Sequence, residues 1–370
     1  MGNSTPRTGH VPLIRASILS PFAAFLREVG SSARPFLLKS RLPALALAEP
    51  ETLVPMHLAW EFAGRIAHAT GIADLGLRVG ERTRLGALGA YGRALSRLPT
   101  LYETVETACW LSPVHSSGER IWLTWHGEQA RLCHAFTHDI ANGRSQAEQF
   151  TLMILVNLLR SAGGSGWRPE RIELTSVAPP TLRRMALFSS AHVSCGHEHT
   201  AVTFPRSLLR MPPNVEPRGP AASVQDYGAL AASAPAIDFP GSIRQLIGSY
   251  LREGYPDVQR IAGIAGLSER TFQRRLMESG ATYYGLVDQV RLERARRYLL
   301  DPNMKLIDVA LELGFSEAAS FTRAFRRWTG LSPSAFRRLG PVPVSALARG
   351  MTPGHTRERS APIRRPTATV

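Results

Sequence analysis

The chain has 370 residues, 44% of them hydrophobic, and carries 44 Lys and Arg against 29 Asp and Glu, a formal net charge of +15. That is enough length and apolar content for two or three domains with packed cores, and it excludes a wholly disordered chain. No apolar run reaches the roughly 18 residues that span a bilayer, so no membrane partner is expected.

Three cysteines, Cys109, Cys133 and Cys195, lie far apart without a repeat spacing. They argue against a disulfide framework and suit a reducing cytoplasm. The basic excess is densest toward the end. Residues 1–240 hold 23 basic and 18 acidic side chains, residues 241–340 hold 16 and 10, and residues 341–370 hold 5 and 1. This is the distribution expected when the C-terminal third meets phosphate.

In chain order, residues 1–17 are expected to be disordered, and the chain from 18 to 210 to form a domain of helices and a small mixed sheet. Helical patterns fall at about 18–30 and 53–70, then at Leu85–Leu95 and Thr100–Trp110, separated by Pro99. The period then changes. Ile121–His126 and Ala130–Phe136 read as two strands around a turn, Arg171–Val177 as a third and Thr200–Phe204 as a fourth, with helices at Ser145–Ser161 and Thr181–Ser190 between them. Trp60, Tyr91, Trp110, Trp122 and Trp125 are read as core aromatics in preference to the lining of a ligand pocket. Residues 211–240, rich in Pro, Ala, Gly and Ser, read as a linker. Residues 241–338 are helical almost throughout, and residues 339–370 form an aperiodic basic tail expected to be disordered.

The informative feature is a pattern that occurs twice. In Val258–Leu276 and again in Ile307–Phe325, a short apolar helix ends at a glycine, Gly266 or Gly314. One apolar residue follows, and then a serine, Ser268 or Ser316, opens a second helix carrying arginine. Glycine suits the positive φ of the turn, and each serine reads as an N-cap. A second helix entered in this way can lie in a DNA major groove. On the first of these helices, Phe272 and Leu276 should face the core, leaving Arg270, Gln273 and Arg274 outward. Arg can form a bidentate pair with guanine and Gln with adenine. On the second, Phe321 and Phe325 read as core, and the outward positions are Glu317, Ala318, Ala319, Thr322 and Arg323. Only Thr322 and Arg323 offer strong polar readout there, so the first helix is expected to discriminate bases more than the second. Ala281–Leu300 reads as a long helix joining the two.

Residues 241–338 resemble the DNA-binding domain of the AraC/XylS family of bacterial transcription regulators. The stretch from Gly314 through Phe321 and Phe325 to Arg337 carries the resemblance most closely. It implies two helix-turn-helix units presented to successive major grooves, about one helical turn or 34 Å apart. It also implies base contacts at Arg270, Gln273 and Arg274. Residues 37–210 resemble the arabinose-binding-type N-terminal domain of one branch of that family, through Gly76-Leu-Arg-Val-Gly80, Gly86-Ala-Leu-Gly89 with Tyr91, Leu98-Pro-Thr-Leu-Tyr-Glu-Thr-Val, Gly166-Trp-Arg-Pro and Val202-Thr-Phe-Pro205. The implied roles of that domain are effector binding and homodimerisation.

The expected protein is therefore a metabolite-responsive, sequence-specific transcription activator of the bacterial cytoplasm and nucleoid. Its partners would be double-stranded DNA, RNA polymerase and a small-molecule effector of unknown identity. The alternative is a non-specific architectural DNA protein, which a steep salt dependence without a preferred site would reveal. No cofactor, metal or enzymatic activity is expected. The run His192-Val-Ser-Cys195-Gly-His197-Glu-His199 has metal-ligand residue types, but it reads as a turn before the last strand. Cys109 or Cys133 beside His134 or His138 reads as a buried inert thiol rather than a nucleophile.

Overall fold

The computed structural model describes residues 9–96, 98–214 and 224–340. Residues 1–8, 215–223 and 341–370, where disorder and part of the linker were expected, lie outside the described residues. The chain divides into two compact units, Met1–Val290 and Arg291–Val370, which are taken in turn.

The first unit begins with order where disorder was expected. Leu13–Arg15 (β1) pairs antiparallel with Leu53–Pro55 (β2), with Ile14 opposite Val54. Leu13 and Ile14 are wholly buried, and burial of two large aliphatic side chains in a paired strand outweighs the ordering entropy that the sequence reading assigned to residues 9–17. Arg15 is also wholly buried. Its Nε donates to the Val114 carbonyl at 3.0 Å, and Nη1 reaches both the carbonyl and the carboxylate of Glu51 at 3.3 Å. Its Nη2 donates to the Leu230 carbonyl at 3.0 Å and to Ser233. One guanidinium fork thus satisfies acceptors from three separate segments.

Helices follow at Ser20–Glu28 (α1), Arg34–Lys39 (α2), Met56–Thr70 (α3), Leu75–Arg82 (α4), Gly89–Ala94 (α5) and Leu101–His115 (α6). The helix expected over 85–95 is broken, because Gly89 takes a φ of +70° and only a 3-10 turn precedes it. Thr100 caps α6 through a capping box with Glu103. The strands are Glu119–His126 (β3), Gln129–Phe136 (β4), Arg171–Leu174 (β5), His192–Cys195 (β6) and Thr200–Pro205 (β7), interleaved with Arg144–Gly163 (α7) and Pro180–Arg184 (α8). They form a mixed sheet in the order β3-β4-β7-β5-β6, in which only β5 and β6 run parallel. β6 occupies part of the segment that the sequence suggested was a turn.

The core of this sheet-and-helix layer is aromatic. Trp60, Phe22 and Phe150 meet with ring centroids 5.1–6.4 Å apart. α7 is buried over most of its circumference. It is tied to the sheet by Glu148, whose carboxylate accepts from the backbone N–H and hydroxyl of Thr175, from Thr200 and from Ser176. Burial alone would raise the pKa of Glu148, but these donors hold it below the usual carboxylate range. The spacing Gly76-x-x-x-Gly80 lets α4 lie directly on α7. A Cβ at Gly80 would come within 2.5 Å of Met153 Cβ, and one at Gly76 would collide with the Gln146 carbonyl.

The expected linker 211–240 is partly helical: Val224–Ala232 (α9) is a helix, and Asp238 caps Phe239–Tyr250 (α10). α10, Val258–Ile264 (α11) and Glu269–Glu278 (α12) then pack in the same unit as the sheet. Tyr283–Leu299 (α13) crosses the division between units. The first unit therefore contains the first helix-turn-helix as well as the expected effector domain. Hydrogen bonds among the described residues join the two parts: Tyr250 OH to the Arg41 carbonyl at 2.7 Å, Ser249 Oγ to the Leu53 carbonyl at 2.6 Å, Ala44 N to Glu253 at 2.7 Å, Val11 N to Ser242 Oγ at 3.1 Å, Arg41 Nη1 to the Gly263 carbonyl at 3.3 Å, and Arg252 to Glu49.

The second unit holds the C-terminal half of α13 with Leu306–Glu312 (α14), Ala318–Thr329 (α15) and Pro333–Leu339 (α16). Its core is a chain of rings, Phe321 against Phe325 at 5.7 Å and Phe325 against Phe336 at 5.5 Å.

Two predictions follow from the packing of the first unit. Replacing Arg15 by Met leaves the buried Leu230 carbonyl and the part-buried Val114 and Glu51 acceptors unpaired and should cost about 2–3 kcal/mol, read as a lowered denaturant midpoint. The second concerns pH. Burial pushes the His57 and His138 imidazoles down to about 4. Below about 6.5 the unfolded chain binds protons that the folded chain refuses until about 4, so stability falls as pH drops through that window, by roughly 1–2 kcal/mol per ring at pH 5. Urea melts at pH 7 and pH 5 should show this loss, and His57→Gln with His138→Gln should flatten it.

Candidate nucleic-acid interface

Both turns have the same backbone geometry. Gly266 and Gly314 each take a φ of +72°. In the first turn the N–H of Leu267 reaches back to the Ala262 carbonyl at 2.9 Å, and in the second the N–H of Phe315 reaches the Ala310 carbonyl at 2.9 Å. These are the closing bonds of a helix that ends in a left-handed residue, and they set the direction in which the next helix leaves.

α12 begins after Ser268, whose Oγ accepts from Thr271 N at 3.3 Å. Phe272 and Leu276 are buried, Phe272 against Phe239 at 5.7 Å and against Tyr283 at 5.9 Å. Arg270, Gln273 and Arg274 are exposed. Gln273 donates to Glu269 at 3.0 Å, and Arg274 pairs with Glu278 at 2.6 Å. Both contacts lie on the helix surface, where such pairs contribute little and are readily exchanged for a better partner. Arg275, one residue on, is half-buried over the Phe239 ring at 5.6 Å.

The second helix departs from the expected form. α15 starts at Ala318, and its N-cap is Glu317, which makes no side-chain bond to the helix backbone. Ser316 is exposed and caps nothing, so the N-cap reading of Ser316 is corrected. The helix opens later than expected, and Glu317 accepts instead from the Ser320 hydroxyl at 2.8 Å. Ala319 is exposed and Ala318 half-buried. The Thr322 hydroxyl donates to the Ala318 carbonyl at 2.8 Å, which commits its proton to the helix itself. Arg323 is exposed and reaches Ser320 at 2.9 Å and Glu317 at 3.6 Å.

Two residues not singled out in the sequence hold the second unit in shape. Arg291, on α13, is buried. It donates through Nε to the Leu313 carbonyl at 2.9 Å and through Nη2 to the Gly314 carbonyl at 3.1 Å, with its guanidinium 4.1 Å from the Phe315 ring centroid. It clamps the turn that precedes α15. Arg337, on α16, donates to the carbonyls of Leu299 and Met304. The one available signal was position 291 at helical spacing from Val287 and Ala295, obscured by Arg294, Arg296 and Arg297 nearby.

The other constellations do not converge. Trp60 and Tyr91 are core residues, but Trp110 is 69% exposed and Trp125 50%, so the reading of all five aromatics as core is corrected. They lie on helix and strand faces turned to solvent. His197 bonds Ser194 at 2.8 Å and His199 lies 5.1 Å from the Trp122 ring. Among the described residues no group of three His, Cys, Asp or Glu is placed to hold a metal ion. Burial pushes the Cys109 thiol up to about 11 and raises Cys133, which disfavours the reactive thiolate. Among the described residues no helix is long and apolar enough to cross a membrane.

Residues 30–213 match the family described as the arabinose-binding domain of AraC transcription regulators, N-terminal, and residues 261–339 match a helix-turn-helix domain family. The HTH-type transcriptional regulator VirS of Mycobacterium tuberculosis is 25% identical over 89% of this chain and 98% of its own length. The ornithine utilization regulator of Pseudomonas aeruginosa is 26% identical over 72% of this chain and 79% of its own. Among solved structures, the transcriptional regulator CdpR of Pseudomonas aeruginosa is 21% identical, covering 83% of this chain and 96% of its own, with a TM-score of 0.37. The chain belongs to the AraC family of helix-turn-helix transcription regulators.

Replacing Arg291 by Ala removes the clamp and leaves two turn carbonyls unpaired, at about 2–4 kcal/mol. Thermal melts should show the second unit loosened, and DNA affinity should fall although position 291 lies outside α15.

Proposed function

We propose that the protein is a metabolite-responsive activator that reads two successive major grooves, with α12 in one and α15 in the other. Residues 18–210 are the effector-binding and dimerisation region, 211–240 the connection, and 241–338 the DNA reader. The protein acts as a homodimer in the bacterial cytoplasm at the nucleoid and contacts RNA polymerase. It carries out no chemistry of its own. The observation that carries this reading is the division of α12. Phe272 and Leu276 lie in the core, while Arg270, Gln273 and Arg274 face solvent on the other side of the helix.

Arg270 and Arg274 suit guanine, and Gln273 suits adenine. On α15, Arg323 supplies the polar contact. Ala318 and Ala319 allow close approach to thymine methyl groups, and Thr322 contributes packing because its proton is already committed. Ser268 holds the entry of α12, and Ser316 stands exposed ahead of α15 for a phosphate. Specificity therefore comes mainly from the first unit.

Selection of preferred duplexes from a randomised pool by the full chain tests this. Gln273→Ala or Arg274→Ala should each relax preference at particular base pairs, at about 1–3 kcal/mol. Thr322→Ala should change little. Arg326→Ala should weaken all sequences alike and reduce the salt slope by about one. Unchanged base preference in both α12 variants would remove this assignment. Absence of any preferred site in the parent chain would favour an architectural DNA protein instead.

A further inference from the structure

Within the first unit, the C-terminal ends of α4, α5 and α7 surround a cavity of about 660 Å³. Among the described residues four arginines line it, Arg82, Arg84, Arg93 and Arg160, against a single acidic residue, Glu81. Arg82, Arg93 and Arg160 each lie in the last turn of a helix, where a cation is favoured by the helix dipole. That accounts for each arginine singly. It does not account for four on one cavity, because like charges in a concave site repel one another.

The charges are largely uncompensated. Arg82 pairs with Glu28 at 2.9 Å. Arg84, Arg93 and Arg160 pair with no carboxylate among the described residues, and the Arg160 Nε is buried without a hydrogen-bond partner. The site is also held in shape. Asn157 on α7 donates to the carbonyls of Gly80 at 2.8 Å and Thr83 at 3.1 Å, which fixes the end of α4 and with it the Arg82 and Arg84 side of the cavity. Apolar surface comes from Leu85 and Leu95. A volume of this size, part apolar and with convergent polar groups, fits a small metabolite.

We propose that this cavity binds the effector and that the effector is a small organic anion, held through a carboxylate or a phosphate by the guanidinium groups of Arg93 and Arg160 with Arg82 and Arg84 at the rim. This rests on the reading of residues 18–210 as a sensor of small molecules. Guanidinium forks match the two oxygens of either acid group. The cavity wall also includes Asn214, whose N–H donates to the Ser161 carbonyl, so the occupant touches the chain at the point where it leaves the sheet domain toward α9.

The test uses the full chain, with melting temperature and calorimetric titration at constant ionic strength. The probes are succinate, citrate and glutamate as carboxylates, inorganic phosphate and glucose 6-phosphate as phosphates, and glucose and sodium chloride as controls. At least one acid class should raise the melting temperature and bind about tenfold or more tighter than glucose; which class does so identifies the acid group. Arg93→Gln with Arg160→Gln should abolish that gain. The ligand-free double variant should melt at or above the parent, because the repulsion is relieved. Arg84→Gln, at an exposed position, serves as a second variant and should weaken binding in part.

Three results would overturn the proposal: no probe distinguishable from sodium chloride, undiminished binding by the double variant, or a double variant that melts several degrees lower without ligand, which would make the arginines structural. DNA binding measured on the same samples separates the two readings. Retained DNA binding without anion binding discards only the cavity assignment, whereas loss of both in the parent chain discards the regulator reading.

Discussion

Arg15 sits without exposed surface where β1, the end of α6, the segment ahead of β2 and the end of α9 come together. A guanidinium taken out of water is tolerated only when its donors are met, so these segments must be present together and in register. Desolvation lowers its pKa, and the Glu51 carboxylate acts against that shift. The consequence reaches beyond local stability. α9 leads into α10, and α10 is the first element of the helix-turn-helix region. The buried charge therefore ties the sheet-containing part of the first unit to its helix-turn-helix part. The bonds from Tyr250 to Arg41 and from Ser249 to Leu53 complete that attachment. Arg41 itself takes a φ of +55°, rare for a residue with a side chain. Its carbonyl accepts from Tyr250 while its guanidinium donates to Gly263.

The two helix-turn-helix units share a turn and differ in how it is supported. The second is held from α13 by Arg291, through two carbonyls and a ring face. The first is held in part from outside, by Arg41 of the sheet domain on the Gly263 carbonyl. A unit whose first helix is gripped by the sheet domain is coupled to any change in that domain in a way that a self-contained unit is not. The more polar reading surface, α12, belongs to the gripped unit. The exposed polar face of α12 and the helix held by Arg41, α11, thus belong to the same helix-turn-helix.

The repeated Gly-apolar-Ser pattern was legible because it depends on local physics: a left-handed glycine, a hydrophobic residue beside it and a helix with apolar residues one turn apart. Gly266, Gly314, Phe272, Leu276, Phe321 and Phe325 all stand where that logic puts them. Strands β3, β4, β5 and β7 were legible for the same reason, since alternation is a local signal. Ser316 was misread because a serine at the right spacing caps a helix only if the helix starts immediately after it, and here α15 begins after Glu317. Trp110 and Trp125 were misread because residue type biases burial without deciding which face of an element is covered.

By itself the amino-acid order determined the number and kind of helix-turn-helix units, the inward and outward faces of α12 and α15, and the mixed α+β character of the rest, all of which follow from periodicity over a few turns. Tertiary structure alone decided what depends on distant partners: that residues 9–15 are ordered, that α9 is a helix within the supposed linker, that the first reader packs with the sheet domain, and that Arg82, Arg84, Arg93 and Arg160 face one cavity. The reason is that a charged residue in a sequence carries no mark of its partners. Whether an arginine is solvated, buried in a clamp or gathered with others is set by chain segments far away, and only folding brings those to it.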